Sequence, residues 1–249
     1  MQFSTKILLE VAVETLDDAL AATRGGADRL ELCAALEVGG LTQGAGVLQA
    51  IRAESPLPIM AMVRPRSGGC HYNDRDFSVM LKDRDFLINH GVSGLVFGFL
   101  DRDGHIETDR LKAFLSGIPT GVETVFHRAF DFVENAAESL EVLIGHKVTR
   151  ILTSGLKPSI TEGVATIREL IQLSNSRIEI LGGGGIRLEN VREVVEQTGL
   201  SQIHASCRAT AQDRSPRLRP EIRFGLPEMP PETVIDAPTP AWWPACGPL

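Results

Sequence analysis

Short apolar runs alternate with longer amphipathic segments from residue 7 to about residue 208 of the chain. The apolar runs predict β-strands over residues 7–13, 29–33, 58–65, 94–100, 121–127, 150–155, 177–183 and 202–207. Apolar residues at helical spacing predict helices over residues 15–26, 43–54, 74–90, 106–117, 134–145, 159–173 and 187–199. Strands that are apolar on both faces and separated by helices indicate a parallel sheet.

This alternation predicts an α/β fold in which residues 1–208 form a (β/α)8 TIM barrel. An open, doubly wound sheet is the alternative arrangement of parallel strands and helices. Such a sheet usually carries a glycine-rich dinucleotide fingerprint after its first strand. The stretch "VAVETLDD" at residues 11–18 contains no glycine, so the closed barrel is favoured.

Residues 209–249 have a different texture and form a proline-rich C-terminal extension. They contain nine of the fourteen prolines and both tryptophans, Trp242 and Trp243, with little helical or strand periodicity. The extension is either a strap packed on the barrel or a mobile tail. Because the tryptophan pair favours docking, one hypothesis is a non-catalytic scaffold in which the extension clasps the subunits of a homo-oligomer.

The composition narrows the classes of partner. Hydrophobic residues make up 43% of the chain, which is enough for a sizeable core. The net charge is −7 and the isoelectric point about 5.4. This acidic balance argues against nucleic acid or an anionic membrane as the main partner. A small anionic ligand remains compatible, because a local basic pocket can exist in an acidic protein.

The N-terminal segment, the length of the apolar stretches and the spacing of the cysteines predict a cytoplasmic protein. The first apolar run is interrupted by Glu10 and lacks the basic start and cleavage site of a signal peptide. No apolar stretch approaches the length needed to cross a bilayer. The four cysteines are far apart in the sequence, which favours reduced thiols over a disulfide framework.

Two acids lie inside predicted apolar strands, Glu10 in the first and Glu31 in the second. A buried carboxylate is costly unless it is paired or hydrogen-bonded. The candidate partners are two histidines and the arginines at the predicted strand ends, Arg64, Arg66 and Arg128. Active sites of TIM barrels lie at the carboxyl ends of the strands. A ring of acids and bases there would suit proton transfer, and a structural ion-pair cluster is the alternative.

His127, at the end of the predicted fifth strand, is the best candidate for a general acid or base because imidazole titrates near neutrality. Asp131 either fixes the tautomer of His127 or caps the next helix. Glu10 or Glu31 would be the partner of His127, and Arg64 would hold an anionic group or a developing oxyanion. His204, inside the eighth strand, is either part of this site or a packed residue.

The stretch "ILGGGGIRLEN" after the seventh strand predicts an anion-binding site. Gly183, Gly184 and Gly185 lead into a predicted helix whose exposed amides could bind a phosphate. A tight turn is the alternative use of the glycines. Further donors are expected from residues at the other strand ends: Arg66, Arg128, Ser154, Ser206 and Arg208.

Metal binding is a third possibility. Cys33 and Cys207 lie at predicted strand ends, and Cys70 and His71 lie in the loop after the third strand. Such soft ligands suit copper(I), and Cys33 and Cys207 are the candidate pair. The residues show no tight ligand spacing, and a buried cysteine is often a small core residue.

Five segments together resemble the CutC family, which is named for copper homeostasis. They are "GGADRLELC" (25–33), "RPR" (64–66), "TVFHRAFD" (124–131), "ILTSG" (151–155) and "GGGIR" (183–187), and the match runs from about residue 7 to residue 208. The resemblance implies a TIM barrel, a cytoplasmic and often oligomeric protein, and a link to copper. It also implies that the polar mouth of the family is carried by Glu10, Glu31, Arg64, His127, Arg128, Asp131 and Ser154.

The chain departs from the family pattern at residues that bear on copper. Ala12 stands where many relatives have a cysteine, so Cys33 lacks the expected partner on the first strand. Gly69 replaces a loop acid, and Cys207 stands where the family usually has alanine. Two hypotheses therefore lead. The resemblance favours a copper homeostasis protein that binds copper(I), and the residues favour an acid–base enzyme for a small phosphorylated or anionic, sugar-like compound.

Overall fold

The structure, a computed structural model, describes residues 6–225 and 230–238. Eight parallel strands close into a barrel in sequence order, and β1 pairs with both β2 and β8. The strands are β1 (Leu8–Val13), β2 (Arg29–Leu32), β3 (Ile59–Met62), β4 (Gly94–Phe97), β5 (Glu123–Phe126), β6 (Arg150–Thr153), β7 (Glu179–Gly182) and β8 (Gln202–Ala205). The predicted TIM barrel is confirmed.

One helix follows each of the first seven strands. The helices are α1 (Leu16–Arg24), α2 (Ala45–Glu54), α3 (Asp74–Asn89), α4 (Thr108–Leu115), α5 (Ala136–Gly145), α6 (Val164–Ser174) and α7 (Val191–Thr198). Side chains dictate where several of them begin. In α1, the Thr15 hydroxyl accepts from the Asp18 N–H, and the Asp18 carboxylate accepts from the Thr15 N–H. This reciprocal cap satisfies two amides that the first helical turn leaves unpaired.

Two predicted helices begin later than their periodicity indicates, and both delays reshape loops at the barrel mouth. Residues 159–163 form turns before α6, and residues 186–190 are non-helical before α7. Gly163 packs so closely on the loop after β6 that a Cβ would lie 1.8 Å from the carbonyl oxygen of Ser154. Such tertiary contacts override local helix propensity.

The interior of the barrel has an apolar part and a polar part. Strands β3 to β7, with Cys33 after β2, contribute an apolar cluster of Cys33, Met60, Met62, Val96, Val125, Leu152 and Leu181. Strands β8, β1 and β2 instead contribute the buried polar side chains Glu10, Arg29 and Glu31 and the half-buried His204. Because side chains alternate along a strand, residues 29, 31 and 33 share the inner face of β2.

A polar network also lies at the amino-terminal ends of the strands. The buried Arg150 guanidinium lies 2.9 Å from Glu123 and 2.5 Å from Glu179 through Nη2. Its Nε donates to the side-chain oxygen of Gln202, which also accepts from Arg29 Nη2. Gln202 in turn donates to Glu179. We call these five residues the lower network.

The described part of the C-terminal extension contains a two-stranded antiparallel ribbon. Strand β9 (Arg208–Gln212) pairs with β10 (Val234–Pro238), and β10 lies beside α1. The predicted boundary after residue 208 therefore falls within β9, and neither strand was predicted. Pairing between such distant segments leaves no local periodicity to detect. The predicted docking of Trp242 and Trp243 lies outside the described residues.

Candidate active site

The carboxyl ends of the strands open onto a cavity of about 920 Å³. We call it the mouth cavity. Its wall includes the strand residues Glu31 and His204 and the loop residue His127. The other charged residues in its wall are Arg64, Arg128, Arg187, Glu189 and Arg208. Four arginines against two glutamates make this a locally basic cavity in a chain of net charge −7, which suits an anionic ligand.

Glu10 is fully buried and is held by two cations. Its Oε2 accepts from Arg29 Nε at 2.5 Å, and its Oε1 accepts from His204 Nδ1 at 2.9 Å. Burial alone would raise the pKa of Glu10, but the hydrogen bond from His204 and the charge of Arg29 outweigh it and lower the pKa to about 2. Glu10 is therefore ionised and fixes the orientation of the His204 ring.

Glu31 lies across the ring of His204 from Glu10. Its Oε2 is 3.8 Å from His204 Nε2, and its Oε1 has no hydrogen-bond partner among the described residues, although the side chain is buried. Burial, reinforced by the charge of Glu10, raises the pKa of Glu31 from 4.5 to about 7, against the opposing charges of His204 and Arg29. Glu31 is thus a carboxyl group that can exchange a proton near neutrality.

His204 joins the two glutamates. Burial would lower the pKa of His204, but the charge of Glu31 and the hydrogen bond to Glu10 outweigh burial and raise it. Since Nδ1 donates to the ionised Glu10, Nε2 is the atom directed to Glu31. The arrangement is a carboxylate–imidazole–carboxyl relay that ends in the mouth cavity, and it can stabilise either protonation state of Glu31.

His127 lies in a different electrostatic environment from His204. Its Nδ1 accepts from the Ala129 N–H at 3.0 Å, and its buried Nε2 has no hydrogen-bond partner in the described part of the chain. Burial, together with the charge of Arg64, lowers the pKa of His127 to about 3. A ring that stays neutral across the physiological range does not suit the general acid or base predicted from the sequence. Glu31, rather than His127, has the appropriate pKa.

Arg64 is buried and rigidly held by the backbone of two loops. Its Nη1 donates to the carbonyl oxygens of Val38 and Gly40, and its Nη2 donates to that of Gly68. Neither Glu10 nor Glu31 is among the ion-pair partners of Arg64 in the described structure. The predicted ring of acids facing Arg64 is therefore replaced by a relay in which Arg29 and His204 hold the acids.

Asp131 binds a loop rather than the His127 ring. Its carboxylate accepts from Arg128 Nε at 2.7 Å and from the Thr153 hydroxyl at 2.5 Å. It also accepts from the amide and hydroxyl of Ser154 and from the Leu156 amide. Of the two uses predicted for Asp131, helix capping and tautomer control of His127, the geometry supports neither. Asp131 joins the loop after β5 to the loop after β6.

Ser154 is also committed to this connection. The hydroxyl of this fully buried residue lies 2.5 Å from the Lys157 carbonyl oxygen and accepts from Arg128 Nη2 at 2.7 Å. Ser154 is not among the residues that line the mouth cavity. The predicted anion contact from Ser154 is therefore indirect, because its hydroxyl positions the Arg128 guanidinium.

The glycine loop lies beside that guanidinium. The Gly183 amide donates to the Thr153 carbonyl oxygen, whereas the amides of Gly184, Gly185 and Ile186 have no acceptor among the described residues. A Cβ on Gly184 would lie 3.3 Å from Arg128 Nη1 and 2.9 Å from the Ser154 Cβ, and Gly184 has φ +90°. Because α7 begins only at Val191, these amides belong to a loop and not to the predicted helix N-terminus.

The other predicted anion ligands divide into two groups. Ser206 and Arg208 line the mouth cavity, and Arg208 Nη2 also lies 3.2 Å from Glu14 Oε2. Arg66 does not line the cavity. It is held by Asp76 at 2.9 Å and stacks over the ring of Tyr72 at 4.7 Å. The anion-binding role of Arg66 stays a prediction, and the side chain turns back onto its own loop.

The two cysteines predicted to bind metal lie in different surroundings. Cys33 is fully buried beside Met62 and does not line the cavity, and burial strongly raises the pKa of its thiol. Cys207 does line the cavity. Among the described residues, the group of three side chains close enough to share a metal ion is Glu10, Glu31 and His204, which contains neither cysteine.

Two residues of the relay were not assigned to the site from the sequence. Arg29 was overlooked and His204 was left open. Side-chain alternation along β2 could have identified Arg29, because residue 29 shares the inner face of that strand with Glu31. Side-chain alternation in β8 could have indicated that His204 faces inward. The register of the closed barrel sets His204 opposite Glu10. That register depends on barrel closure, which local periodicity does not specify.

Comparisons with known proteins agree with this architecture. The family model for the CutC family matches residues 7–209. The chain is 39% identical over 230 residues to a CutC family protein of Treponema denticola, covering 92% of this chain and 93% of that protein. It is 41% identical over 203 residues to the human copper homeostasis protein cutC homolog, covering 82% of this chain and 74% of that protein.

A solved structure shows the same likeness. The fold matches the crystal structure of CutC from Streptococcus agalactiae with a TM-score of 0.76 and 33% identity, covering 80% of this chain and 98% of that chain. In the described residues, no helix has the length and apolar character needed to cross a membrane.

Proposed function

The chain belongs to the CutC family, and we propose that it is an enzyme that transfers protons on a small anionic compound bound in the mouth cavity. Copper homeostasis is the process for which its human relative is named. The acid–base proposal is the function that the geometry supports best, and copper(I) binding is a second candidate.

The observation that carries the proposal is the state of Glu31. This buried carboxyl group has one unpartnered oxygen, lines the mouth cavity and has a pKa raised to about 7. Buried carboxylate oxygens usually have a hydrogen-bond partner. Glu123 also has an oxygen without one, but that oxygen lies 2.9 Å from Arg150 and the side chain is 41% exposed, whereas Glu31 Oε1 is in no ion pair among the described residues. A pKa near the working pH is the property that general acid–base catalysis requires.

The relay behind Glu31 supports the same role. The ionised Glu10 directs the His204 ring so that Nε2 points at Glu31. When Glu31 gives up a proton, its negative charge raises the pKa of His204 and so favours a compensating positive charge next to it. When Glu31 takes a proton, the pair of Glu10 and Arg29 remains neutral overall. When Glu31 is ionised and His204 is protonated, the four side chains Glu10, Arg29, His204 and Glu31 are neutral overall, so the ionised carboxylate is not an isolated charge inside the barrel.

The anionic character of the ligand follows from the opposite wall. Free amides of Gly184, Gly185 and Ile186 lie beside Arg128, whose Nη1 has no acceptor among the described residues. Backbone amides and a guanidinium together match the oxygens of a phosphate monoester. Asp131 and Ser154 hold the Arg128 side chain in place by hydrogen bonds. The donors are therefore positioned before a ligand binds.

A thermal-shift experiment with inorganic phosphate tests this proposal. Millimolar phosphate should raise the Tm by about 3–5 °C over sodium chloride of equal ionic strength. Gly184→Asp should abolish the shift, because the new carboxylate repels an anion. Gly121→Asp is the matched control, since Gly121 also has a positive φ, +95°, but lies at the start of β5, away from the cavity. It should retain the shift.

Arg128→Gln gives a second variant that adds no side-chain volume to the loop. It should reduce the phosphate shift by removing one charged donor while the glycine amides remain. A Tm that does not respond to phosphate in the wild type, or an equal response in all variants, would contradict the proposal.

Copper(I) binding is favoured by one observation: sulfur atoms of Met62, Cys70 and Cys207 belong to residues in the cavity wall. Thioethers and thiolates are the ligands that copper(I) prefers. The carboxylates and imidazole of the relay are harder donors and do not fit copper(I) as a set. The buried Cys33 thiol is also poorly suited, because its raised pKa disfavours the thiolate that binds metal.

Anaerobic titration with copper(I) tests this second candidate. Cys207→Ser should weaken binding and Cys33→Ser should change it less, if the cavity sulfurs are the ligands. Equal, weak binding by the wild type and both variants would exclude a specific site. Reduced thiols and copper(I) both suit a reducing compartment, so a cytoplasmic location belongs to this proposal.

A further inference from the structure

His127, a residue of the mouth-cavity wall, has a buried polar atom with no hydrogen-bond partner among the described residues, its Nε2. The proton transfer proposed for Glu31 does not use it. The His127 side chain is buried, so water does not readily satisfy this nitrogen. A buried polar atom of this kind needs a hydrogen-bond partner from a ligand. Whether Nε2 carries a proton determines whether that partner must be an acceptor or a donor.

Hydrogen bonding fixes the tautomer of His127. The Ala129 amide donates to Nδ1 at 3.0 Å, so Nδ1 carries no proton. In a neutral imidazole the proton is then on Nε2, which makes Nε2 a donor. The nearby positive charge of Arg64 opposes a second proton on the ring. His127, a residue of the cavity wall, therefore carries a neutral Nε2–H group.

We infer that His127 donates its Nε2–H to a carbonyl oxygen of the substrate, and that the substrate is the monophosphate of a small hydroxyaldehyde or hydroxyketone. This inference rests on the proposed function, because it assigns the phosphate to the glycine loop and the proton transfer to Glu31. His127 is then a catalytic residue that stabilises charge on oxygen and does not itself exchange a proton.

The choice of a carbonyl oxygen follows from the donors available. A phosphate is better bound by the free amides and Arg128 on the opposite wall. A neutral N–H donor binds a carbonyl oxygen modestly and an oxyanion more strongly. The hydrogen bond therefore strengthens as negative charge develops on that oxygen, which is the requirement for catalysis.

The reaction class follows from the pair of groups. The ionised form of Glu31 removes a proton from the carbon next to the carbonyl group. The electron pair of the broken C–H bond forms a C=C bond, and the carbonyl π electrons move to oxygen, where His127 donates. Return of the proton from Glu31 to the former carbonyl carbon, with transfer of the neighbouring hydroxyl proton to the enolate oxygen within the substrate and formation of the new C=O bond at that neighbour, completes an isomerisation. No oxidant, reductant or further co-reactant is required.

Gly98 supports the precise placement of the His127 ring. A Cβ on Gly98 would lie 2.6 Å from both Cε1 and Nδ1 of that ring. The ring thus packs directly against the backbone that follows β4, which restricts its rotation. Together with the hydrogen bond from Ala129, this contact holds Nε2 in one position.

Calorimetric titration with two matched probes tests the inference. The probe 2-phosphoglycolate carries a carboxylate where an enediolate would form, and 2-hydroxyethyl phosphate has a hydroxyl group in its place. We expect the wild type to bind 2-phosphoglycolate about tenfold more tightly or better, as expected of an intermediate analogue. The preference should be larger at pH 6 than at pH 8, because a protonated Glu31 can donate to the carboxylate.

Two substitutions at His127 separate its chemistry from its packing. His127→Asn should remove most of the preference, because its amide is too short to reach the position of Nε2. His127→Gln should restore part of it, because its longer side chain can bring an amide N–H to that position. Binding of 2-hydroxyethyl phosphate should change little in either variant.

The outcomes distinguish the inference from the proposed function. If phosphate and 2-hydroxyethyl phosphate bind but 2-phosphoglycolate binds no better, the inference is wrong and the proposed function stands. The same conclusion holds if His127→Asn keeps the full preference. If neither probe nor inorganic phosphate binds the wild type, the proposed function fails and the inference fails with it.

Discussion

Two groups of charged side chains lie inside this barrel, and both contain atoms without a hydrogen-bond partner among the described residues: Arg150 Nη1 and Glu123 Oε2 in the lower network, and Glu31 Oε1 at the mouth. They differ in how far their carboxyl groups are exposed to solvent. In the lower network, Arg150 lies between Glu123 and Glu179, and Gln202 connects the charges. In the relay of Glu10, His204 and Glu31, the last carboxyl group has a free oxygen at the mouth cavity. Charge burial alone therefore does not identify a functional site in this fold.

Arg29 makes the comparison direct, because it belongs to both groups. Its Nε binds Glu10, and its Nη2 binds the Gln202 side chain. At one end, Glu123 and Glu179 both pair with Arg150, and the two glutamates lie at the edge of solvent, since their side chains are 41% and 48% exposed. At the other end, Glu31 is buried and its nearest cationic partner is a histidine 3.8 Å away. The lower end stabilises the barrel, and the upper end is available for a ligand.

The largest loss of stability is expected from a substitution in the lower network. Arg150→Met should lower the free energy of unfolding by about 3 kcal/mol, because it leaves two glutamates and the Gln202 oxygen without their shared donor. Urea denaturation at pH 7 measures the loss. Arg150→Lys keeps the charge and should lose less. A loss below that of Glu179→Gln would contradict the structural role of this network.

Glu31→Gln should change the free energy of unfolding in the opposite direction from Arg150→Met. The folded-state pKa of Glu31, about 7, lies above the usual 4.5, so its contribution to stability is fully present below pH 4.5 and is lost as the pH rises through 7. Because the side-chain amide of glutamine does not ionise, the variant does not lose this stability as the pH rises. The variant should therefore be more stable than the wild type at pH 8, by roughly 2 kcal/mol, and the difference should shrink at pH 5.

Denaturation of the wild type and Glu31→Gln at pH 5 and pH 8 measures this change. Glu10→Gln provides the contrast within the same relay, because the pKa of Glu10 is lowered to about 2. Its stabilising contribution is present above pH 4.5 and is lost as the pH falls towards 2, so this variant should be destabilised at pH 8. Equal signs for the two variants would contradict the assignment of different roles.

Gly98→Ala should weaken ligand binding through the position of a ring rather than through its chemistry. The new methyl group would lie 2.6 Å from the His127 ring and 2.8 Å from the Ala129 Cβ. Overpacking of this kind costs about 1–3 kcal/mol of stability. We also expect about a tenfold loss of affinity for 2-phosphoglycolate, since a 1.4 kcal/mol change corresponds to that factor. Calorimetry measures this loss, and unchanged affinity would show that the ring position does not matter.

The sequence predicted the fold well because each strand and helix has its own periodic signal. The seven helices and eight barrel strands all lie within or beside the predicted segments. Strands β9 and β10 were missed, because their pairing depends on a contact between distant segments. Local pattern therefore sufficed where packing follows the pattern, and it failed where pairing partners lie far apart along the chain.

The candidate site was predicted only in part. The position of Glu10 and Glu31 in apolar strands predicted that they need partners. The structure supplies two for Glu10, whereas Glu31 has only a distant histidine and one oxygen without a partner among the described residues. The identity of the partners depends on which residues the closed barrel brings level, as with Glu10 and His204. The roles of the two histidines depend on single hydrogen bonds, from Ala129 to His127 and from His204 to Glu10. No sequence pattern encodes these bonds.

The smallest expected change in stability gives the most direct comparison of the lower network with the relay. Glu179→Gln, in the lower network, should destabilise the protein by less than about 1 kcal/mol. The side chain is 48% exposed, and the amide oxygen can still accept from Arg150 and Gln202. The same Glu→Gln change at Glu31 should be stabilising at pH 8, because that carboxyl group is buried and has a free oxygen. Parallel urea titrations of both variants at pH 8 compare the signs. If both variants lose stability, the mouth carboxyl group is held as a structural ion, and the functional reading of its free oxygen is wrong.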